Sequence, residues 1–238
     1  MKFFIVHAHA EPQSFNGALT RHAQEVLIAA GHEVIVSDLY AMQFNPVSDR
    51  RNFTTVKNAN YFKQQVEEMY ATEIDGFAPD IKAELEKLDW CDVLIFQFPL
   101  WWFGLPAILK GWVDKVFAMG KVYGGGKWYD NGVFKGKKAM LSLTTGGGGN
   151  MYQENSLNGE INSILFPINH GIFKFVGFDV LPPFIAYAVT RISDEQRQTY
   201  LAEYKQRLLT VDTTPIIPYP VLADFDENFQ LKSAKIST

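Results

Sequence analysis

Short, fully apolar runs alternate with amphipathic stretches along this chain, and this alternation restricts the fold more than any other feature. The run Phe3–Val6 and the segment DVLIFQF at 92–98 lack the regular polar positions of a half-exposed strand, so each is predicted to be a strand covered on both faces. Residues 16–30 carry apolar side chains at helical spacing and stop at Gly31. A strand, a helix and a second strand in this order predict a parallel sheet.

The same pattern continues along the chain. We expect strands at 2–7, 32–38, 92–98, 138–143 and 178–189, and helices at about 16–30, 61–70, 79–88, 106–117, 158–175 and 193–209. The predicted fold class is α/β, a doubly wound parallel five-stranded sheet with helices on both faces. Residues 1–212 are predicted to form one domain, and the proline-bearing residues 213–238 to form an extended C-terminal arm.

Composition and charge narrow the possible partners. A formal net charge of −4 at pH 7 and a pI near 5.7 provide no basic surface for a phosphate backbone, so we do not expect nucleic acid to bind. The first apolar run ends at His7, too early for a signal peptide, and the apolar stretch at 98–109 is interrupted by proline and glycine, so no membrane insertion is expected. Cys91 is the single cysteine, which favours a reducing, cytoplasmic compartment and a buried structural thiol.

In a doubly wound sheet, a ligand lies at the carboxyl ends of the strands where the winding reverses, which directs attention to the loops at 7–16, 99–105 and 144–149. The first loop runs into a helix N-terminus, where free backbone N–H groups and the helix dipole favour a phosphate, with His9, Ser14 and Asn16 as further donors. The alternative is that Ser14 or Asn16 only caps the helix. The loop has no Walker lysine, which disfavours nucleoside triphosphate hydrolysis.

The other two loops are harder to explain as plain connections. Trp101, Trp102 and Phe103 directly follow a buried strand and cannot all face the core, so they are predicted to line an edge or a pocket for a flat conjugated ligand. A dimer interface is the alternative. The glycines at 146–149 allow backbone N–H groups to approach a ligand that develops negative charge, whereas the alternative is a flexible surface loop.

These loops lie in segments that resemble the NAD(P)H:quinone oxidoreductases of the DT-diaphorase type, within the flavodoxin-like superfamily. The matching segments are SFNGAL, SDLYAMQFNPVSDR, FQFPLWWFGLPAILKGW, GKKAMLSLTTGG and LFPINHGI followed by FVGF. The resemblance implies an oxidoreductase with bound FAD, FMN being the less favoured flavin. It also implies a homodimer with active sites at the subunit interface, and ping-pong hydride transfer from NADH or NADPH to quinones and related flat acceptors. No metal site is predicted.

The resemblance further implies roles for individual residues. Those implied to contact the cofactor are His9, Ser14, Phe15 and Asn16 at the pyrophosphate, Pro99, Leu100, Trp101, Trp102 and Phe103 at the isoalloxazine, Thr144, Thr145, Gly146, Gly147 and Tyr152 at its polar edge, and Arg197 near the adenine. Those implied to line the substrate pocket are Trp102, Phe103, Tyr123, Gly146 and Gly147, with Tyr123 contributed to the neighbouring subunit's site.

Tyr152 and Asn158 are the implied catalytic pair. In the better known family members a histidine follows the tyrosine by six residues, and here that position is Asn158. Asparagine donates a hydrogen bond but does not take up a proton near neutral pH. Gly125 stands where a second pocket tyrosine is common, which predicts a more open pocket. The alternative function is a flavin-binding regulatory subunit of an ion-transport system with little turnover; the physiological acceptor and the preferred nicotinamide donor stay open.

Overall fold

A parallel β-sheet forms the centre of the computed structural model, which describes residues 1–232. Its strands are β1 (Lys2–His7), β2 (Glu33–Asp38), β3 (Val93–Pro99), β4 (Lys138–Thr144), β5 (Asp179–Val180) and β6 (Phe184–Ala186). The strand order is β2-β1-β3-β4-β5, β6 also pairs with β4, and every pairing is parallel. The winding reverses between β1 and β3, which confirms the predicted doubly wound α/β sheet.

Helices cover both faces of this sheet. They are α1 (Phe15–Ala29), α2 (Gln64–Ile74), α3 (Pro79–Trp90), α4 (Ala107–Val116), α5 (Ile161–Ile168) and α6 (Asp194–Leu209). Side chains of β1 alternate between two apolar layers: Phe4 and Val6 pack with α3, α4 and α5, whereas Phe3 and Ile5 pack with α1 and α6. Because each face of β1 is covered, its sequence has no need of a polar position.

Several predicted elements have different bounds in the structure. The helix expected at 158–175 is α5, which ends at Ile168 and continues as a π-helical segment, Asn169–Lys174. The continuous strand expected at 178–189 is divided into β5 and β6, because Pro182 and Pro183 lack the backbone N–H groups that a ladder requires. The helix expected at 61–70 is α2, which begins at Gln64 and continues to Ile74. Both strand fragments pair with the same edge of β4, so the sheet order is not changed by the division.

The described part of the C-terminal arm packs back against the domain. The Ile217 N–H donates to the Val180 carbonyl at 2.8 Å, and the Leu222 N–H donates to Asp130 Oδ2 at 2.6 Å. Residues 233–238 of the predicted arm lie outside the described residues. Of the helices within residues 1–232, none combines the length and the apolar character that crossing a bilayer requires.

Candidate functional site

A cavity of about 820 Å³ opens where β1, β3 and β4 end. All three loops that the sequence singled out contribute to its wall, as does the segment that leads into α6. The lining residues are His9, Gln13, Ser14, Phe15, Asn16, Ala18, Pro99, Leu100, Trp101, Trp102, Thr144, Thr145, Gly146, Val189, Thr190 and Arg197. The volume is within the range typical of small-molecule and cofactor sites.

The N-terminus of α1 forms one end of the cavity. Ser14 is its cap, since its Oγ accepts a hydrogen bond from the Gly17 N–H at 3.1 Å. Of the two residues considered as the cap, Ser14 is therefore correct and Asn16 is wrong, because Asn16 lies inside the first turn. That turn contains no acidic side chain, so the positive end of the helix dipole is not neutralised by the helix itself. This end of the cavity is therefore suited to a phosphate group.

His9 is held in place beside this helix end. The Glu11 backbone N–H donates to His9 Nδ1 at 3.0 Å, and the His9 ring centroid lies 6.0 Å from that of Trp101. Nδ1 also lies 3.2 Å from the Glu11 carbonyl oxygen, and in the tautomer in which Nδ1 accepts, Nε2 is the nitrogen that can donate to a ligand. His9 thus joins the first loop to the aromatic second loop.

A buried chain of hydrogen bonds lies under the cavity. Gln97 Nε2 donates to Asn16 Oδ1 at 2.9 Å, and Asn16 Nδ2 donates to Thr144 Oγ1 at 2.8 Å. Both ends of the Asn16 amide are therefore used within the protein, which makes Asn16 a bridge between β3 and β4. Sequence analysis missed Gln97, although a glutamine in the otherwise apolar segment DVLIFQF was a visible signal.

The aromatic loop contains a tight and strained turn. The Gly104 N–H donates to the Trp101 carbonyl at 3.0 Å, and the two central residues have positive φ angles, 50° at Trp102 and 58° at Phe103. Left-handed backbone is unfavourable for bulky residues. Trp102 is 97% exposed and Phe103 is 50% exposed, so the strain leaves two aromatic side chains largely in solvent. Trp102 lines the cavity and Phe103 does not.

The glycine loop presents free backbone donors. The Thr145 N–H donates to the Ala186 carbonyl at 3.0 Å and its Oγ1 donates to the Gly147 carbonyl at 2.7 Å, so both Thr145 donors are occupied. The N–H groups of Gly146 and Gly147 have no acceptor within the described part of the chain. A Cβ at Gly146 would meet no atom within 4 Å, which is expected for a residue that borders open space.

Gly147 is required for a different reason. A Cβ there would lie 3.1 Å from Tyr152 Cε2 and 3.3 Å from the Tyr152 hydroxyl oxygen. The glycine therefore allows the Tyr152 ring to pack directly on the loop. Tyr152 is buried and its ring centroid lies 5.8 Å from that of Tyr187. Neither Gly147 nor Tyr152 lines the cavity, so the tyrosine lies behind the glycine loop.

The structure shows the contacts of three further residues that the sequence assigned to the site: Asn158, Tyr123 and Arg197. The Asn158 N–H donates to the Met151 carbonyl at 3.0 Å, and its side chain has no hydrogen-bond partner among residues 1–232. Tyr123 does not line the cavity of its own chain, and its hydroxyl accepts from Gln65 Nε2 at 3.2 Å. Arg197 does line the cavity, and donates to Asp194 Oδ1 at 2.6 Å and to the Val189 carbonyl at 3.2 Å.

The residues present fit a flavin nucleotide. The cavity combines a helix N-terminus for phosphate, an aromatic wall for a flat ring and, at Gly146, an unpaired backbone donor for a polar ring edge. The open space at Gly146 is the part of this cradle that a side chain would fill. Four further wall residues were not predicted from the sequence: Gln13, Ala18, Val189 and Thr190.

Comparisons with known proteins agree with this geometry. Residues 1–208 match the model of a protein family whose description is a flavodoxin-like fold. The chain is 44% identical over 227 residues to NAD(P)H dehydrogenase (quinone) 1 of Rattus norvegicus, covering 95% of this chain and 83% of the rat protein. It is 43% identical over 218 residues to ribosyldihydronicotinamide dehydrogenase (quinone) of Homo sapiens, covering 91% and 94% of the two chains.

A solved structure extends the similarity to three dimensions. A Klebsiella pneumoniae protein assigned provisionally as a quinone reductase superposes with a TM-score of 0.94 and 40% identity, covering 98% of this chain and 94% of that one. Sequence identity at this level over nearly the whole length establishes membership of the family as well as a shared fold. The chain belongs to the NAD(P)H:quinone oxidoreductase family, with a flavodoxin-like fold.

Proposed function

We propose that this chain is a flavin-dependent NAD(P)H:quinone oxidoreductase that binds FAD in the cavity at the ends of β1, β3 and β4. One observation supports the proposal most strongly: a single cavity of about 820 Å³ joins the N-terminus of α1, the Trp101 and Trp102 side chains and Gly146, whose N–H is unpaired within residues 1–232. Membership of a family whose relatives are named for quinone reduction supports the same activity.

Each part of the cavity is assigned one part of the cofactor. The pyrophosphate would be held by the start of α1 with His9 and Ser14, and the adenine would lie toward Arg197. The isoalloxazine would pack against the segment from Pro99 to Trp102. FAD is preferred to FMN because the family resemblance assigns Arg197 to the adenine, and Arg197 lies in the cavity wall with Val189 and Thr190.

The flavin, when bound, supplies the two-electron chemistry, taking a hydride from NADH or NADPH and passing it to a quinone. The chain's own residues would stabilise the charge that accompanies the transfer. The N–H groups of Gly146 and Gly147 are fixed donors at the end of β4, and the hydroxyl of Tyr152 lies directly behind them. Asn158 would assist as a hydrogen-bond donor, and it does not relay a proton.

We further propose a cytoplasmic homodimer with a ping-pong mechanism. A second copy would cover Trp102, which is 97% exposed beside the cavity, and Phe103, and would contribute its own Tyr123 to complete the acceptor pocket. Because donor and acceptor would use the same pocket, the nicotinamide must leave before the quinone enters. Residues 1–212 would form the catalytic domain, with 213–238 as an arm; the buried Cys91 fits a reducing compartment.

Three measurements on the purified protein test the proposal. Chromatography of the flavin released by heat is expected to give FAD. Anaerobic NADH or NADPH is expected to bleach the flavin absorbance, and a simple quinone is expected to restore it. Initial rates at varied donor and acceptor concentrations are expected to give the parallel double-reciprocal lines of a ping-pong mechanism.

Two results would overturn it. Protein that stays free of flavin after incubation with FAD would remove the cofactor assignment. Protein that binds flavin but reduces no quinone would favour a regulatory subunit of an ion-transport system, since such a subunit needs the fold without the turnover.

A further inference from the structure

A short loop, Met119–Tyr123, is held by α2 through a buried carboxylate. The Met119 N–H donates to Glu68 Oε2 at 2.7 Å, and Gln64 Nε2 donates to Glu68 Oε1 at 2.8 Å. The loop closes on itself, because the Gly120 N–H donates to the Tyr123 carbonyl at 2.7 Å. The carboxylate that fixes the first residue of the loop therefore also fixes the last.

A second contact from α2 reaches the loop's functional side chain. Gln65, the residue beside Gln64, donates from Nε2 to the Tyr123 hydroxyl at 3.2 Å. The Tyr123 ring lies 5.8 Å from that of Phe175, so packing alone already restricts it on one side. Two consecutive turns of one helix thus hold the start of the loop at Met119 and the hydroxyl end of Tyr123.

Stability does not account for the carboxylate at this position. Glu68 is 3% exposed and, within residues 1–232, its oxygens are bonded to neutral donors only, with no lysine or arginine in ion-pair range. Burial raises the pKa of Glu68, and the hydrogen bonds from Met119 and Gln64 offset this only in part. A buried charge without an ionic partner costs folding free energy, so its placement calls for another explanation.

The neighbouring carboxylate provides a natural comparison. Glu67 is 2% exposed and accepts from the Lys57 N–H at 2.6 Å and the Asn58 N–H at 3.0 Å, with Arg50 Nη1 at 3.8 Å. It has the same chemistry, helix and burial as Glu68 but an ionic partner, and it binds a different loop. Glu67 is therefore a matched structural residue that does not touch Tyr123.

We propose that Glu68, assisted by Gln65, is a positioning residue that fixes Tyr123 and thereby sets how tightly the acceptor binds in the neighbouring subunit's pocket. This inference rests on the proposed function, which assigns Tyr123 to that pocket. Glu68 touches no cofactor or substrate itself. Its effect belongs to acceptor binding, while the reduction of the flavin by the nicotinamide is independent of it.

The test uses the full-length, flavin-loaded protein with 3-fluorotyrosine at position 123, observed by fluorine NMR. Glu68→Leu removes both acceptor oxygens, and Glu67→Leu is the matched control. In Glu68→Leu the fluorine resonance is expected to move and broaden, and the KM for a quinone to rise about tenfold, as expected for the loss of one buried hydrogen bond. The kcat and the anaerobic rate of flavin reduction are expected to stay within about twofold of the wild type, a factor too small to count as a lost interaction.

Two milder variants distinguish a loss of Tyr123 positioning from a general folding defect in Glu68→Leu. Glu68→Gln keeps one acceptor and is expected to recover most of the wild-type KM. Gln65→Leu changes only the exposed hydrogen bond to the hydroxyl, and is expected to shift the same resonance with a smaller rise in KM. Both results would support positioning through Tyr123.

The inference is overturned if the fluorine resonance is the same in Glu68→Leu and the wild type, or if Glu67→Leu changes it equally. It is also overturned if the resonance moves while the quinone KM does not. Failure of the proposed function would look different: the wild-type protein itself would show no quinone turnover, and the fluorine spectra would still decide whether Glu68 fixes Tyr123.

Discussion

The side-chain amide of Asn16 donates to Thr144 Oγ1 at 2.8 Å, joining the first turn of α1 to the end of β4 across 128 positions of sequence. Its oxygen accepts from Gln97 at the end of β3. One side chain therefore holds three elements in register at the edge of the sheet where the cavity lies. The cavity wall depends on it even without direct contact to a ligand.

Replacing Asn16 by leucine is expected to lower the free energy of unfolding by about 2–3 kcal/mol, because the Gln97 amide would lose its acceptor inside the protein. Ser14→Ala, which removes only the helix cap, is expected to cost about 1 kcal/mol. Urea unfolding of the two variants gives the comparison. A loss in Asn16→Leu no larger than in Ser14→Ala would contradict the bridging role.

The strained turn at Trp102 predicts a gain in stability when the aromatic residue is removed. Glycine adopts a positive φ without the roughly 1–2 kcal/mol penalty of other residues, and the greater freedom of its unfolded chain offsets only part of this. Trp102→Gly is expected to raise the free energy of unfolding of the flavin-free protein by about 0.5–1 kcal/mol. It is also expected to weaken flavin or acceptor binding, because the aromatic wall is lost.

Trp128→Gly is the control for this prediction. Trp128 is also a partly exposed tryptophan, but its φ of −147° suits any residue, so glycine brings no relief of strain there. Its removal is expected to lower stability. Chemical unfolding of both variants decides the point, and equal changes in the two proteins would show that the Trp102 turn stores no strain.

The two glycines at the end of β4 are expected to respond differently to the same added methyl group. Gly146→Ala points into open space, so it is expected to leave the unfolding free energy of the flavin-free protein within about 0.5 kcal/mol of the wild type and to weaken flavin binding. Gly147→Ala is expected to push the Tyr152 ring away, lowering stability by about 1–3 kcal/mol. Unfolding curves and flavin titrations separate the two. Equal loss of stability in both would contradict the placement of Tyr152 behind Gly147.

The strands and helices next to the site were predictable because burial on both faces leaves a visible apolar run. Phe3–Val6 and the strand before Pro99 have this property, and the loops that follow them necessarily meet at one edge of the sheet. Three short loops with unusual residues at that edge were then sufficient to locate the cavity. The division of the last strand at Pro182 was also visible in principle, since proline interrupts a ladder.

What the sequence could not provide were contacts decided by packing. Whether Asn16 caps a helix or pairs with Thr144 depends on how α1 lies on the sheet, and nothing local distinguishes the two outcomes. The left-handed turn at Trp102 runs against the ordinary preference of a bulky residue. The contact between Glu68 and Met119 joins segments 51 positions apart, and no motif marks it.

The single cysteine makes a prediction for alkaline pH. Burial raises the pKa of the Cys91 thiol to about 12, above its usual value of 9.0. A folded-state pKa that is raised contributes stability below the unfolded value and loses it as pH rises toward the folded value, so the free energy of unfolding should fall between about pH 9 and pH 12.

Cys91→Ala is expected to make this fall shallower, measured by urea unfolding at several pH values. Tyrosines and lysines also titrate in this range, so the contribution of Cys91 is the difference between the wild type and Cys91→Ala in the pH dependence of the unfolding free energy. Iodoacetamide is expected to label Cys91 only after unfolding, since the protonated thiol is not a nucleophile. Rapid labelling of the folded protein at pH 8 would contradict the burial.

The last prediction concerns Asn158. Its backbone is held by the Met151 carbonyl, and its side chain is not committed to any partner in the described part of the chain, so a new side chain starts from a fixed position without breaking a contact. Histidine takes up a proton near neutral pH and asparagine does not. Asn158→His is therefore expected to accelerate anaerobic flavin reduction by NADH or NADPH by at least about tenfold. This is less than the rate acceleration that general acid–base catalysis usually gives.

Stopped-flow absorbance measures the rate, and Asn158→Gln, which donates a hydrogen bond without titrating, is the control. Reduction would leave negative charge on the flavin, which a protonated histidine can neutralise and a neutral one cannot, so the gain should decline above about pH 6.5, whereas Asn158→Gln should show no such pH dependence. An Asn158→His rate equal to that of the wild type at every pH would show that position 158 takes no part in the proton transfer.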